Sequence, residues 1–286
     1  MRIAYFKAVK KPFKYWYPGT NVANEIARAY GTLIKPGDLI AVSEKALCAS
    51  KGLLYDEGVI HPDLFTKFAA YVVNRVIWGR LLRGLFNEET QRFLLKAPLN
   101  YIASHKKLSL KLGGLKHFIK PLSEAGIDAT NLPYTYVSLP IKNASKEAEI
   151  LREDLVKLLK INVEVLIVDS DRTFKLRKFA NLAIATRPSS IRGIIDLGGV
   201  AYFIGKTLKK LFVEYPTPIA YTGKWIGLTN ILKVTRLADK LMGYGLGRNV
   251  LEMVSNLGRE SFSEVLWSDM NKVRHYPAVL IRPIYL

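Results

Sequence analysis

The sequence predicts a mixed fold of the α+β class, and three observations predict it. A capped amphipathic helix, "NASKEAEILREDLVKLLK" at 143–160, runs straight into a nearly continuous apolar stretch, "INVEVLIVDSDRT". A second strand is expected within "GDLIAVSEKAL" at 37–47, and no internal repeat organises the chain. With 286 residues, 49% of them hydrophobic, the chain can bury the core of one large domain or of two closely joined ones.

The elements follow in order. The start, "MRIAYFKAVKK", alternates apolar residues but has no signal-peptide apolar run or cleavage pattern. "GDLIAVSEKAL" opens on a Gly-Asp turn and an apolar run, so a strand is expected up to Ser43 and a turn or helix start after it. "DLFTKFAAYVVNRVIWGRLLRGLF" at 63–86 reads as an apolar helix in which Lys67, Arg75, Arg80 and Arg83 recur too closely for a bilayer span. An amphipathic helix lying on an anionic membrane is its alternative reading. In 143–160, Asn143 or Ser145 can cap. Ala148, Leu151, Leu155, Leu158 and Leu159 line one face, with acids early and Lys157 and Lys160 late, which suits the helix dipole. The run after it predicts a buried central strand that stops at Asp169 and delivers an acid at its carboxyl end. "YPTPIAY" at 215–221 predicts an extended connection, and "MGYGLG" at 242–247 has glycine enough to let backbone approach a ligand closely.

Lysine and arginine number 43 against 24 acids, a formal charge of +19 that favours polyanionic partners: nucleic acid first, phosphorylated small molecules second. The alternative is a solvated surface of the kind found in heat-adapted proteins, in keeping with Gln91 as the sole glutamine. Cys48 is the single cysteine, expected to be buried, and the chain suits a reducing, cytoplasmic setting.

Against this basic background "SEAGIDATN" at 123–131 holds Glu124 and Asp128 and no lysine or arginine, and a second acidic spot lies at Asp169, Ser170 and Asp171. If the two spots converge, their repulsion is most simply offset by a hard cation, magnesium or manganese. The competing reading makes Asp128 the cap of the next turn through Asn131, and Asp169 the cap of whatever follows the strand. The G-x-G-x-G of 243–247 matches neither the Walker nor the dinucleotide fingerprint. His61, His105, His117 and His275 have no zinc spacing.

In its motifs the chain resembles the coenzyme F420-0:γ-glutamyl ligase family. "AGIDATN" at 125–131 is similar to the family's Ala-Gly-Val/Ile-Asp-Ala-Ser-Asn loop, and "SLPIKNASKEAEILRED", "VEVLIVDSDRTF", "LADKLMGYGLG" and "YPAVLIR" match later motifs in order. "GDLIAVSEKALCASKG" is similar to the family's Gly-Asp strand and Ser-Lys turn. The resemblance implies one ligase domain over 1–286, built of two interwoven α+β subdomains, and a homodimer. It also implies GTP as co-substrate, Mg or Mn as cation, and glutamate addition to a phosphorylated deazaflavin-type acceptor through an acyl phosphate. By resemblance Asp128 and Asp169 hold cations with Ser170 and Asn131 contacts the guanine nucleotide; Gly243, Gly245 and Gly247, in the stretch similar to the family's Met-Gly loop, are expected to bind the nucleotide co-substrate. The family's lysine of the Ser-Lys turn falls on Ala49, leaving Lys45 or Lys51 to supply it, while Lys106, Lys107, Lys111 and Lys116 are expected to neutralise remaining phosphate charge. Tyr244 stands where the family has a cation ligand. Lys233 and Arg236 stand where its preceding helix carries an aspartate, and the 248–275 segment is longer than expected. The aromatic run Phe13 to Trp16 replaces a Leu-Pro-Leu-Ile type sequence and reads as core or as a stacking surface for a ring.

Two functions stay open: the ligase, and a divergent relative that binds a nucleotide or phosphorylated ligand without ligase chemistry. Nucleic-acid binding rests on charge alone, without a recognition motif, so neither nucleic acid nor a membrane is expected as a partner.

Overall fold

The computed structural model describes residues 3–121 and 126–285; Glu124, one of the acids singled out above, lies outside them. The fold is α+β. Its strands are β1 (Ile3–Lys10), β2 (Leu39–Ser43), β3 (Leu54–Asp56), β4 (Tyr136–Ser138), β5 (Glu164–Leu176), β6 (Ala183–Ala185), β7 (Ile194–Asp196), β8 (Phe212–Tyr221) and β9 (Ala278–Tyr285). Seven of them form one sheet in the order β1-β9-β2-β5-β6-β7, with β8 on β5, while β3 and β4 pair separately. β2 runs parallel to β5 and β6 parallel to β7; the other pairs are antiparallel.

Both faces of the central strands are covered, which is why β2 and β5 read as unbroken apolar runs. On one face Ile40, Val42, Val165 and Ile167 pack under Ile26 and Tyr30 of the helix Val22–Tyr30 and under Ala148, Leu151 and Leu155 of the helix Ala144–Leu159. On the other, Leu39, Ala41, Leu166 and Val168 pack under Leu228, Ile231, Leu232 and Ala238 of the helix Leu228–Met242. Asn143 caps Ala144–Leu159 by accepting from the Lys146 N–H at 3.1 Å. Leu158 departs from the expected apolar face and is half exposed.

Two expectations are corrected. "YPTPIAY" is not a connection but most of β8, paired along β5. Proline is tolerated there because, among the described residues, β8 pairs only β5, and the register shifts opposite Pro218 and Pro216 absorb the missing N–H donors. Nor does β5 stop at Asp169. It bulges between Asp169, opposite Thr217, and Arg172, opposite Pro216, and then continues to Leu176.

A third core joins the sheet to a helical half: Tyr15, Ala49, Ala70, Phe93, Ile102, Leu132, Leu246, Val250 and Met253 pack together. Here the segment 248–275 forms the helix Val250–Asn256 and two 3₁₀ turns. Here too the apolar helix Leu64–Ala70 passes into a π-helix, Tyr71–Leu81, closed by Leu82 N donating to Ile77 O at 2.8 Å. Among the described residues no helix is long and apolar enough to cross a membrane.

Candidate active site

The parallel pair sets the place of the site. β2 ends with Ser43 opposite Val168 and leads into a helix, while β5 runs into its bulge, so the two part at a crevice of the kind in which α/β sheets bind ligands. From β2 the chain enters the helix Glu44–Ser50 with Lys45 in its first turn; from β5 the bulge presents Asp169 and exposed Ser170.

Opposite them lies the Asp128 loop. Its anchor is Ile127, fully buried, and the Ser138 N–H donating to Asp128 O at 2.8 Å. Asp128 Oδ1 accepts from Thr130 N at 2.8 Å and Thr130 Oγ at 2.7 Å, so the capping role falls on Thr130 rather than on Asn131. Lys45 Nζ donates to Asp128 Oδ2 at 2.7 Å and to Thr130 Oγ1 at 2.6 Å. Burial opposes the charge on Asp128, but the Lys45 ammonium and the Thr130 bonds outweigh it and hold the carboxyl below its usual range.

Asn131 lines the cavity and its amide also bonds within the protein. Its Oδ1 accepts from Leu246 N at 2.5 Å and its Nδ2 donates to Tyr244 O at 3.0 Å, tying the glycine loop to the Asp128 loop. Gly245 sits at φ +59° with Asn131 Oδ1 2.4 Å from where a Cβ would stand, so that glycine is what lets the two loops touch.

The Asp128 and Asp169 loops meet through Arg187. Its Nη1 donates to Asp169 Oδ2 at 2.6 Å and lies 2.5 Å from Glu44 Oε2. Its Nη2 is 2.6 Å from the point a Cβ of Gly126 would occupy, two residues before Asp128. Burial works against the guanidinium charge, yet Glu44, Asp169 and Asp171 together raise the pKa of Arg187. Beside this cluster Lys120 pairs with Asp171 at 2.7 Å. Neither Glu44 nor Arg187 stood out in the sequence; the available signal was an acid opening a helix after a buried strand, and an arginine two residues past the end of another.

A cavity of about 220 Å³ lies between the loops, and its lining includes Lys45, Asp128, Asn131, Asp169, Ser170, Gly243, Gly245 and Gly247. Lys51 is not brought there: it pairs with Glu147 at 2.6 Å. Nor do the four upstream lysines line it. Lys106 is fully buried and donates to Phe118 O, Lys107 faces Asp63, Lys116 pairs with Asp196, and Lys111 lies in the last turn of the helix Leu99–Gly113, outside the lining. Phe13, Tyr15 and Trp16 are buried in the core, as one reading of their run expects, and Tyr15 and Trp16 are also among the cavity lining.

The lining adds Asp239, one turn before the glycine loop, where the sequence drew attention to Lys233 and Arg236 instead. Burial first, then Asp169, against Arg172 and Lys45, pushes its carboxyl up to about 6. A carboxyl raised in the folded state destabilises only when ionised. The cost is absent below about pH 4, where both states are protonated, and complete above the folded value. Asp239→Asn is therefore expected to raise the melting temperature at pH 7.5 and to leave it unchanged near pH 4, which differential scanning calorimetry reads directly.

No three His, Cys, Asp or Glu side chains converge as a metal cage among the described residues. Magnesium, however, is commonly held by one or two carboxylates together with waters and substrate phosphates. The residues fit that kind of site. Both hydrogen bonds to Asp169 go to Oδ2, which leaves Oδ1 uncommitted among the described bonds, and Asp128 and Ser170 line the same cavity.

Comparison with known proteins agrees with the motifs. The family model described as F420-0:Gamma-glutamyl ligase matches residues 13–282. An uncharacterized protein of Methanocaldococcus jannaschii is 26% identical over 268 residues, covering 90% of this chain and 89% of that protein.

Proposed function

The chain belongs to the F420-0:gamma-glutamyl ligase family, a family of ligases, and from that premise we propose a GTP- and divalent-cation-dependent ligase that joins glutamate to a deazaflavin-type acceptor. The observation that carries this reading is the shared cavity of Asp128, Asp169, Ser170 and Lys45.

In the proposed reaction a carboxylate oxygen of the acceptor attacks the γ-phosphorus of GTP and GDP leaves. The amino group of glutamate then attacks the acyl carbon, phosphate is expelled, and the surplus proton of the amine passes to solvent. A bound magnesium or manganese ion supplies charge neutralisation on the phosphate oxygens, with Asp128, Asp169 and Ser170 as the residues that would hold it. Lys45 carries the positive charge of the chain nearest Asp128, and its ammonium stabilises the transferring phosphoryl group. Gly243 and Gly245, both at positive φ, turn the loop backbone along the cavity wall. Arg187 fixes Asp169 from behind. The acceptor carboxylate is already a nucleophile, so the first step needs no basic side chain.

Tyr244 favours a second reading, ligand binding without ligase chemistry, because a phenol replaces a cation ligand there and Arg248 lies over its ring at 5.1 Å. One experiment separates the two: melting with Mn²⁺ and GTP, singly and together, followed by phosphate release with glutamate and a deazaflavin acceptor added. The ligase reading expects a melting point raised by the pair and little moved by Mn²⁺ alone. A ligand at a hundred times its Kd stabilises by about 2.7 kcal/mol. Phosphate release should then require all four components. Binding without release selects the second reading, and the absence of both effects overturns the pair.

A further inference from the structure

The helix Gly199–Thr207, "GVAYFIGKT", carries a single charge, Lys206. Its inner side meets the sheet: Ala201 packs with Phe174, Ile184 and Phe212, and Gly205 lies so close to the Phe174 ring that a Cβ would collide with it. Val200, Phe203 and Thr207, at i, i+3 and i+7, form another stripe, and all three are exposed. A helix apolar nearly all round belongs in a buried setting, yet one of its sides is left bare. The loops at its carboxyl end continue the pattern. Arg177 N donates to Leu211 O at 2.9 Å, which joins the loop between β5 and β6 to the loop between this helix and β8. In these two loops the exposed apolar side chains Phe179, Leu208 and Leu211 sit among exposed Arg177, Lys178, Lys209 and Lys210.

Those four cations have no ion-pair partner among the described residues. The chain has no Asp or Glu from 172 to 195 or from 197 to 213. The acids that bracket the helix are already paired, Asp196 with Lys116, and Glu214 with Lys206 at 2.6 Å and Arg172 at 3.0 Å. Cations at a helix carboxyl end answer its dipole. That accounts for Lys209 and Lys210, but not for Arg177 and Lys178 across the loop contact or for the bare phenyl and leucyl groups between them. Exposed apolar groups rimmed by polar ones mark an interaction surface. A second copy of the chain would bring these cations against one another, which is costly. Nucleic acid would meet the charge but leave Leu208 and Leu211 against a polar backbone. An anionic bilayer answers both features, with phosphates at its surface and acyl chains beneath. We propose that this face docks on an anionic lipid surface, with Phe179, Phe203, Leu208 and Leu211 entering the headgroup boundary and the four cations meeting lipid phosphates. The sequence points to a membrane surface only at 63–86, and this face lies outside that stretch. The inference is independent of the ligase reading.

Cosedimentation of the full chain with phosphatidylcholine vesicles, with and without phosphatidylserine, tests the proposal. Wild type is expected to pellet with the anionic vesicles, to stay in solution with the neutral ones, and to be released by salt. Lys209→Glu combined with Lys210→Glu should weaken the partition at least about 25-fold, since each basic residue at such a surface is worth about fivefold. Phe179→Ser combined with Leu211→Ser should weaken it at unchanged charge. All four positions are exposed, and melting temperatures equal to wild type check that both variants fold. Wild type that does not pellet with anionic vesicles overturns the proposal, as does vesicle binding unaltered in either double variant. Binding to a DNA duplex that is lost in the lysine variant but kept in the Phe179 and Leu211 variant assigns the face to nucleic acid and overturns it too. A change of oligomeric state in the Phe179 and Leu211 variant without lipid assigns the face to a second copy, with the same consequence.

Discussion

Replacing Arg187 with methionine is expected to lower the unfolding free energy by about 3–5 kcal/mol at neutral pH, the usual cost of removing one member of a buried ion cluster. The side chains of Arg187 and Glu44 are each 3% exposed and that of Asp169 13%. Without the guanidinium, two carboxylates face each other with little water, and each charge disfavours the other. Burial already raises the Glu44 carboxyl against the pull of Arg187, and losing that pull raises it further. The variant should therefore recover stability as the pH falls toward the unfolded carboxyl range and lose it again as the pH rises through the raised values. Urea denaturation at pH 7.5 and pH 5 measures both parts. Equal stability of variant and wild type at pH 7.5 would show that Arg187 does not hold these acids.

The second large effect is on chemistry. Asp128→Asn keeps the shape of the loop and can keep the Thr130 N–H bond at the retained oxygen, but it removes the charge that Lys45 now faces at 2.7 Å. Turnover is expected to fall about a hundredfold or more, since charge stabilisation by a bound cation amounts to several kcal/mol. The melting temperature of the ligand-free protein should fall as well, because a carboxylate held below its usual range by Lys45 and Thr130 contributes stability at neutral pH that the amide does not. Phosphate release under saturating GTP is the readout, and unchanged turnover would remove Asp128 from the site.

Much of this site was legible in the chain because its parts are local signals. The apolar run 39–43 ends at a serine, the cap of 144–159 is the asparagine before it, and Asp128 and Asp169 each stand out against their surroundings. What was not legible depends on partners distant in sequence. Two prolines argue against a strand until it is known that, among the described residues, β8 pairs only β5. The bulge at Asp169 is set by the residues of β8 opposite it, not by β5 alone. The upstream lysines were assigned to phosphate from charge, yet Lys106 is spent on backbone carbonyls and Lys116 on Asp196. Asn131 keeps its predicted place but spends both ends of its amide on the glycine loop. Glu44, Arg187 and Asp239 gain their roles only from what folding sets beside them.

The account depends on Asp128 and Asp169 serving one centre, and titration calorimetry of Mn²⁺ with GTP into wild type, Asp128→Asn, Asp169→Asn and the double variant tests it most directly. If the two carboxylates act on the same ion and phosphates, each single change weakens binding by about tenfold or more, and the double change is scarcely worse than the weaker single one. Full additivity of the two losses, or wild-type affinity in either single variant, would contradict it.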